Sequence, residues 1–175
     1  MQPAGGRRGE TGGDHGNLLL GRVFHSARPL SISTPQEQPL EPDLTDLVAP
    51  GLAQIEALAE TARAGLPQAF RAAADLIALR VVDFAPDAML DALGIDDPFD
   101  LTGLYEGIPM TEKSTFDQPH GPDTIWLFRR AILDEWAGRG DVTLGELVAH
   151  VMIHEMAHHF GWSDDDIASI DRWWE

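Results

Sequence analysis

TLGELVAHVMIHEMAHHFGWSD, residues Thr143–Asp164, is the stretch on which the reading of this chain turns. Thr143 and Glu146 stand three apart just before an apolar run, the spacing of a capping box, in which each side chain satisfies a backbone N–H at the start of a helix. Val148, Val151, Met152 and Met156 recur at helical spacing, and Gly161 supplies a stop. The segment reads as one helix. At 3.6 residues per turn His154 and His158 project from the same face one turn apart, where two neutral imidazoles can converge on a tetrahedral zinc ion, with Glu155 beside them. In such an arrangement zinc lowers the pKa of a bound water towards about 7 and polarises the carbonyl under attack, and the neighbouring carboxylate takes the water's proton. The same pattern also suits a metal-free structural helix whose histidines face solvent, and that alternative predicts no zinc.

Zinc wants a third protein ligand, and 17 residues follow His158 in the sequence. A ligand from a distant downstream helix has little chain to draw on, so the expected arrangement is a short return in which a glycine breaks the helix. Gly161 is three residues after His158 and Asp164 six after it. Asp164 is therefore the expected third metal ligand, with His154 and His158, and Glu155 is the expected catalytic base. Ser163 followed by Asp164-Asp165-Asp166 is also how a new helix begins, with Ser163 or Asp164 as its cap. Asp165 and Asp166 are rivals whose default role is capping. His150 lies about 12 Å along the axis from His158, too far to share the ion, and is expected in packing or behind the ligands. His159 points about 100° away from His158 and is expected at the surface or in a stacking contact. His15, His25 and His120 fall in tail or loop and are expected to be solvated.

Composition narrows the function classes. The 175 residues carry 12 Lys+Arg against 29 Asp+Glu, a formal charge of −17, and Lys113 is the one lysine. A phosphate-backbone binder needs clustered cations, so nucleic acid is an unexpected partner. Cysteine is absent, which leaves His, Asp and Glu as the ligands for any metal. Apolar residues make up 43%, but no uninterrupted apolar stretch nears the roughly 20 residues of a membrane span, so a soluble protein without a membrane partner is expected.

Gly, Pro, Ser, Gln and Arg dominate residues 1–47, whose main apolar cluster is Leu18-Leu19-Leu20 with Val23 and Phe24. That burial does not offset ordering entropy, and the three leucines do not make a secretory signal, so the expectation is a disordered tail on a cytoplasmic protein. The first 48 residues hold four basic and six acidic side chains, the remaining 127 hold eight and 23. The acidic part, residues 48–175, is the expected domain.

Leu52, Ile55, Leu58, Ala59 and Ala62 recur at helical spacing after Pro50 and end at Gly65-Leu66-Pro67. A short helical piece, residues 68–75, runs into a branched apolar stretch, residues 76–84, read as a buried strand. A further short helix over residues 87–93 is closed by Gly94, and Asp96-Asp97-Pro98 is turn chemistry. Residues 101–107 alternate weakly as a strand, and residues 124–133 read as a strong one. Helices and strands in this order predict an α+β domain, a small mixed sheet packed on the histidine helix.

The run His154–Asp164 with Trp162-Ser163-Asp164-Asp165-Asp166-Ile167 resembles the bacterial zincin-like metallopeptidase family with a minimal matrix-metalloproteinase-like fold, related to the metzincins. Residues 77–84, 97–107 and 127–130 resemble the family's other typical stretches, and the likeness spans roughly residues 48–171. The resemblance implies one Zn²⁺ per chain held by His154, His158 and Asp164, with Glu155 as general base, and a peptide or protein substrate. Metzincins proper carry a third His where this chain has Asp164, and no Met follows Met156 to supply a methionine turn. Ile167, Ile170 or Trp173 is expected to form that floor instead. An extended peptide is expected along a strand edge in residues 101–107 or 124–133, and Tyr105 and His120 are candidate oxyanion donors. The alternative function is a zinc-holding domain that recognises a protein partner without hydrolysing it.

Overall fold

The computed structural model describes residues Leu18–Leu19, 48–114 and 121–170. Its elements are β1 (Leu18–Leu19), α1 (Leu52–Ala64), α2 (Gln68–Ala74), β2 (Ala78–Val82), α3 (Asp87–Leu93), a 3₁₀ turn (Pro98–Asp100), β3 (Gly103–Glu106), β4 (Thr124–Phe128), α4 (Arg129–Arg139), α5 (Leu144–His159) and α6 (Asp164–Ile170). This is the expected α+β architecture with a small mixed sheet. Strands run in the order β1-β3-β4-β2, with β2 and β4 parallel and β3 and β4 antiparallel. β1 adds two residues to the outer edge of β3, Leu18 opposite Glu106 and Leu19 opposite Tyr105. Apart from those two residues, the expected tail 1–47 lies outside the described residues.

Alternation along the strands assigns the two faces of the sheet. Tyr105, Ile125 and Leu127, all fully buried, join Ile55 and Ala59 of α1 and Val148, Val151, Met152 and Met156 of α5 in the main core. Leu104 and Phe128 on the other face join Leu90 of α3, Ile95, Leu101 and Ala131 of α4 in a second. Full burial of one such aliphatic or aromatic side chain is worth about 1.5–3 kcal/mol, so α5 is held by its sheet-facing stripe. No helix among the described residues is long and apolar enough to cross a membrane.

The strand expected over residues 124–133 ends at Phe128, and Arg129 opens α4. The apolar residues on either side of Arg129-Arg130 are too few to distinguish strand from helix by period, and here the burial of Ala131, Ile132 and Glu135 follows helical spacing, with Glu135 paired to Arg139 one turn on at 2.8 Å. The strand expected over residues 76–84 is trimmed to Ala78–Val82.

α5 begins as its capping box requires. The Glu146 backbone N–H donates to Thr143 Oγ1 at 3.2 Å, and the Thr143 N–H donates to Glu146 Oε2 at 2.9 Å. The Thr143 N–H, and after it the Thr143 hydroxyl, which donates to Glu146 Oε2 at 2.8 Å, hold the Glu146 carboxyl below its ordinary pKa. A depressed folded-state pKa contributes stability present above the unfolded value and lost as pH falls through the folded one. Glu146→Gln should therefore lower the melting temperature at pH 7 and have a smaller effect at about pH 3, as the wild-type carboxyl takes up its proton with falling pH. Thermal melts at the two pH values read this out, and an equal effect at both would remove the carboxylate from the cap.

Candidate metal centre

The helix does what its spacing predicts. The rings of His154 and His158 lie 4.9 Å apart on one face of α5, and beyond His159 the chain turns back. Gly161 adopts φ +90°, a conformation that side chains with a Cβ avoid, and the turn is fastened by Gly161 N–H to His158 O at 2.9 Å and Trp162 N–H to Ala157 O at 3.1 Å. The Thr111 side chain also packs on Gly161 so closely that a Cβ would overlap its hydroxyl. Gly161→Ala therefore meets a backbone penalty and a clash together, and should destabilise the protein by about 1–3 kcal/mol in denaturant melts. A neutral effect would show that the turn tolerates a side chain.

α6 follows with Ser163 as its cap. Its hydroxyl accepts from the Asp166 N–H at 3.2 Å, and Asp166 Oδ2 accepts from the Ser163 N–H at 2.9 Å. Capping thus occupies Asp166 and leaves Asp164, at the first helical position, turned to the histidines. Asp164 Oδ1 lies 3.2 Å from His154 Nε2 and 3.3 Å from His158 Nε2. One ligand atom from each of the three residues falls within 4.8 Å of the others, a set able to hold one metal ion.

Hydrogen bonding orients the donors. His158 Nδ1 lies 2.9 Å from Trp162 O, so Nδ1 carries the proton and Nε2 presents its lone pair. Nε2 itself is buried and makes no hydrogen bond. Burial works against the charged form of His158, but Asp164 and Glu155 beside it hold its pKa above the ordinary value. Burial pushes the Asp164 carboxyl up, and the two imidazoles outweigh it and hold Asp164 well below the usual carboxylate range.

Glu155 is fully buried, and neither of its carboxylate oxygens has a hydrogen-bond partner. Burial raises its pKa, against the pull of His154 and His158. Gly103 of β3 makes room for it: a Cβ there would stand 2.7 Å from Val151 Cγ1 and 3.0 Å from Glu155 Cγ and Oε1. An orphaned carboxylate in the interior costs free energy unless a further group meets it. His154, His158, whose Nε2 is likewise without a hydrogen bond, and Asp164 make a donor set of two imidazoles and a carboxylate, flanked by the Glu155 carboxylate, that fits zinc.

Other histidines are placed differently from one another. His150 is half-buried, its ring 6.1 Å from that of His154, and it does not join the ligand set. Of the two places expected for His159, the surface is corrected and the stacking contact holds: the residue is 3% exposed, its ring lies edge-on to that of Tyr105 at 5.6 Å, and Nδ1 is 3.1 Å from the Tyr105 hydroxyl and 3.2 Å from Asp123 Oδ2. Its direction, away from His158, is as the helix period requires, but that side of α5 faces the sheet and not solvent. Tyr105 is likewise corrected as an oxyanion candidate. Its hydroxyl is buried and donates to Ile108 O at 3.1 Å, and burial, with Asp123 nearby, pushes its pKa far above normal. His120, His15, His25 and Trp173 lie outside the described residues. Ile167 is 5% exposed on α6, which packs against α5.

Gly103, Thr111 and Asp123 are contributors that sequence reasoning missed. All are brought to α5 by tertiary packing, and no local spacing marks them.

A family model described as zincin-like metallopeptidase matches residues 74–174, more than half of the chain and inclusive of His154, Glu155, His158 and Asp164. No curated protein matches the sequence.

Proposed function

The chain belongs to the zincin-like metallopeptidase family, and from that membership we propose that it hydrolyses peptide bonds in a peptide or protein substrate, with one zinc ion per chain as cofactor. The observation that carries the reading is the convergence of His154, His158 and Asp164 beside a buried carboxylate that has no partner of its own. His154, His158 and Asp164 would hold the ion, which when bound supplies Lewis-acid polarisation and lowers the pKa of a water. Glu155 accepts the proton of the attacking water and returns it to the leaving amine. Its burial raises its pKa and so strengthens it as a base.

The substrate would lie as an extended strand on the outer edge of β3. β4 is excluded because both its edges are paired, to β3 and β2. On the outer side of β3 the partner β1 reaches Tyr105 and Glu106, so the edge at Gly103 and Leu104, where β3 packs on Glu155, has no strand partner among the described residues. The finer placement, a metzincin relative with a minimal matrix-metalloproteinase-like fold, belongs to the same proposal and is supported by the spacing from His154 to Asp164.

The second reading, a zinc-holding domain that recognises a protein without cleaving it, draws on the exposed apolar side chains Phe70, Ile153 and Trp162 around the outer side of α5. Zinc-loaded wild type beside Glu155→Gln, each incubated with a peptide pool and read by mass spectrometry for new termini, separates the two. Cleavage by wild type alone supports the peptidase; zinc binding without any cleavage supports the recognition domain.

A further inference from the structure

We propose that Tyr105, Asp123 and His159 are positioning residues for the metal centre: they fasten the segment 108–113 to the end of α5, and that segment fixes the turn from which Asp164 reaches the histidines. The inference rests on the reading of His154, His158 and Asp164 as zinc ligands.

The need for such a device follows from how unevenly the three candidate ligands are held. The side chains of His154 and His158 are 10% and 1% exposed on a 16-residue helix with a buried stripe. Asp164 is 52% exposed and opens a seven-residue helix beyond a glycine turn. Its own packing does not fix it to within the few tenths of an ångström that a ligand requires. The turn is closed by its own backbone bonds and braced in addition from outside.

Thr111 is what the turn rests on, since its side chain fills the space in which a Cβ at Gly161 would stand. Thr111 is held in turn by its neighbours. The Met110 N–H donates to His159 O at 2.8 Å, and the N–H groups of Glu112 and Lys113 close a turn on Pro109 O at 2.9 and 3.1 Å. At its start the segment is held by Ile108 O, which accepts from the Tyr105 hydroxyl at 3.1 Å, and at its end by Lys113, which pairs with Asp123. Because the Tyr105 hydroxyl spends its proton on Ile108, it offers His159 a lone pair, and Nδ1–H of His159 lies between that hydroxyl and Asp123 Oδ2. One imidazole thus joins the end of α5 to both β3 and the residue preceding β4. His159 projects about 100° from His158 and is outside the ligand set, so the cluster acts through the turn and not on the ion.

The test measures zinc affinity by competition with a chromogenic chelator, the visible spectrum of the cobalt-substituted protein, and melting of the metal-free protein. The full chain is used as wild type, Tyr105→Phe and Asp123→Asn. Thr143→Ala, at the far end of α5, serves as a destabilised control. Loss of a group hydrogen-bonded to a metal ligand weakens binding by about 10–100-fold, and Tyr105 and Asp123 act one step further back, through the turn. Tyr105→Phe and Asp123→Asn should fall by up to about tenfold in zinc affinity, the lower end of that range, with altered cobalt bands, while Thr143→Ala melts earlier and binds zinc as wild type does. Tyr105→Phe keeps the ring that fills the core and covers the case in which Asp123→Asn does not fold. Wild-type affinity and an unchanged cobalt spectrum in both variants, whatever their melting, would overturn this inference alone. A wild type that takes up no zinc would overturn it together with the reading on which it rests.

Discussion

Glu155→Gln is expected to lose peptide hydrolysis while keeping its zinc. Glutamine has the same shape as glutamate, so it fits beneath Gly103, where the space left by the missing side chain is already taken up by Cγ and Oε1 of residue 155. What the amide lacks is a basic oxygen to take the water's proton. General base catalysis of this kind contributes about 10²–10⁴-fold, and a loss of that size in kcat/KM is the expected result. Zinc content should be unchanged, because Glu155 is not among the three residues whose ligand atoms converge. Fold stability should hold or rise, since the substitution replaces a buried carboxylate without a hydrogen-bond partner by a neutral group. Peptide cleavage rates beside elemental analysis of the same preparation decide the matter. Undiminished turnover with zinc bound would remove Glu155 from the chemistry and require another base.

Where the chain could be read without its structure, the reasons were local. The cap at Thr143 and Glu146, the single helical face shared by His154 and His158, and the glycine that lets the chain double back to Asp164 are all consequences of helix period and backbone sterics. The sheet was legible in its strands, but the boundary at Phe128 was not, because apolar residues stand on both sides of Arg129-Arg130 and their burial is decided by two different neighbours: α5 on one side and the second core on the other. His159 was legible as a residue turned away from the ligands that could stack, but not as the centre of a buried cluster. Its partner Tyr105 is 54 residues away in the chain, and nothing in the sequence near either residue announces the contact. Buried polar clusters assembled from three elements carry no period.

The largest effects after Glu155→Gln are expected from the ligands, and they should differ among themselves. Wild type should take up about one zinc per chain after chelation and add-back, and free zinc at a hundredfold excess over its dissociation constant should stabilise the fold by about 2.7 kcal/mol. For a chain of this size that raises the melting temperature by roughly 5–10 °C. His154→Ala, His158→Ala and Asp164→Ala should each lose the bound zinc and the zinc-dependent rise, but their metal-free forms should part company. His158 is 1% exposed and its Nδ1–H is the donor to Trp162 O, so its removal opens a buried space and leaves a carbonyl of the turn unpaired. Asp164 is half exposed, and its removal leaves little void. The metal-free His158→Ala protein should therefore melt well below wild type and metal-free Asp164→Ala close to it, which separates loss of a ligand from loss of the fold. Zinc retained by Asp164→Ala with wild-type affinity would place the third ligand elsewhere. A wild type that neither holds zinc nor melts later in its presence would return α5 to the role of a structural helix.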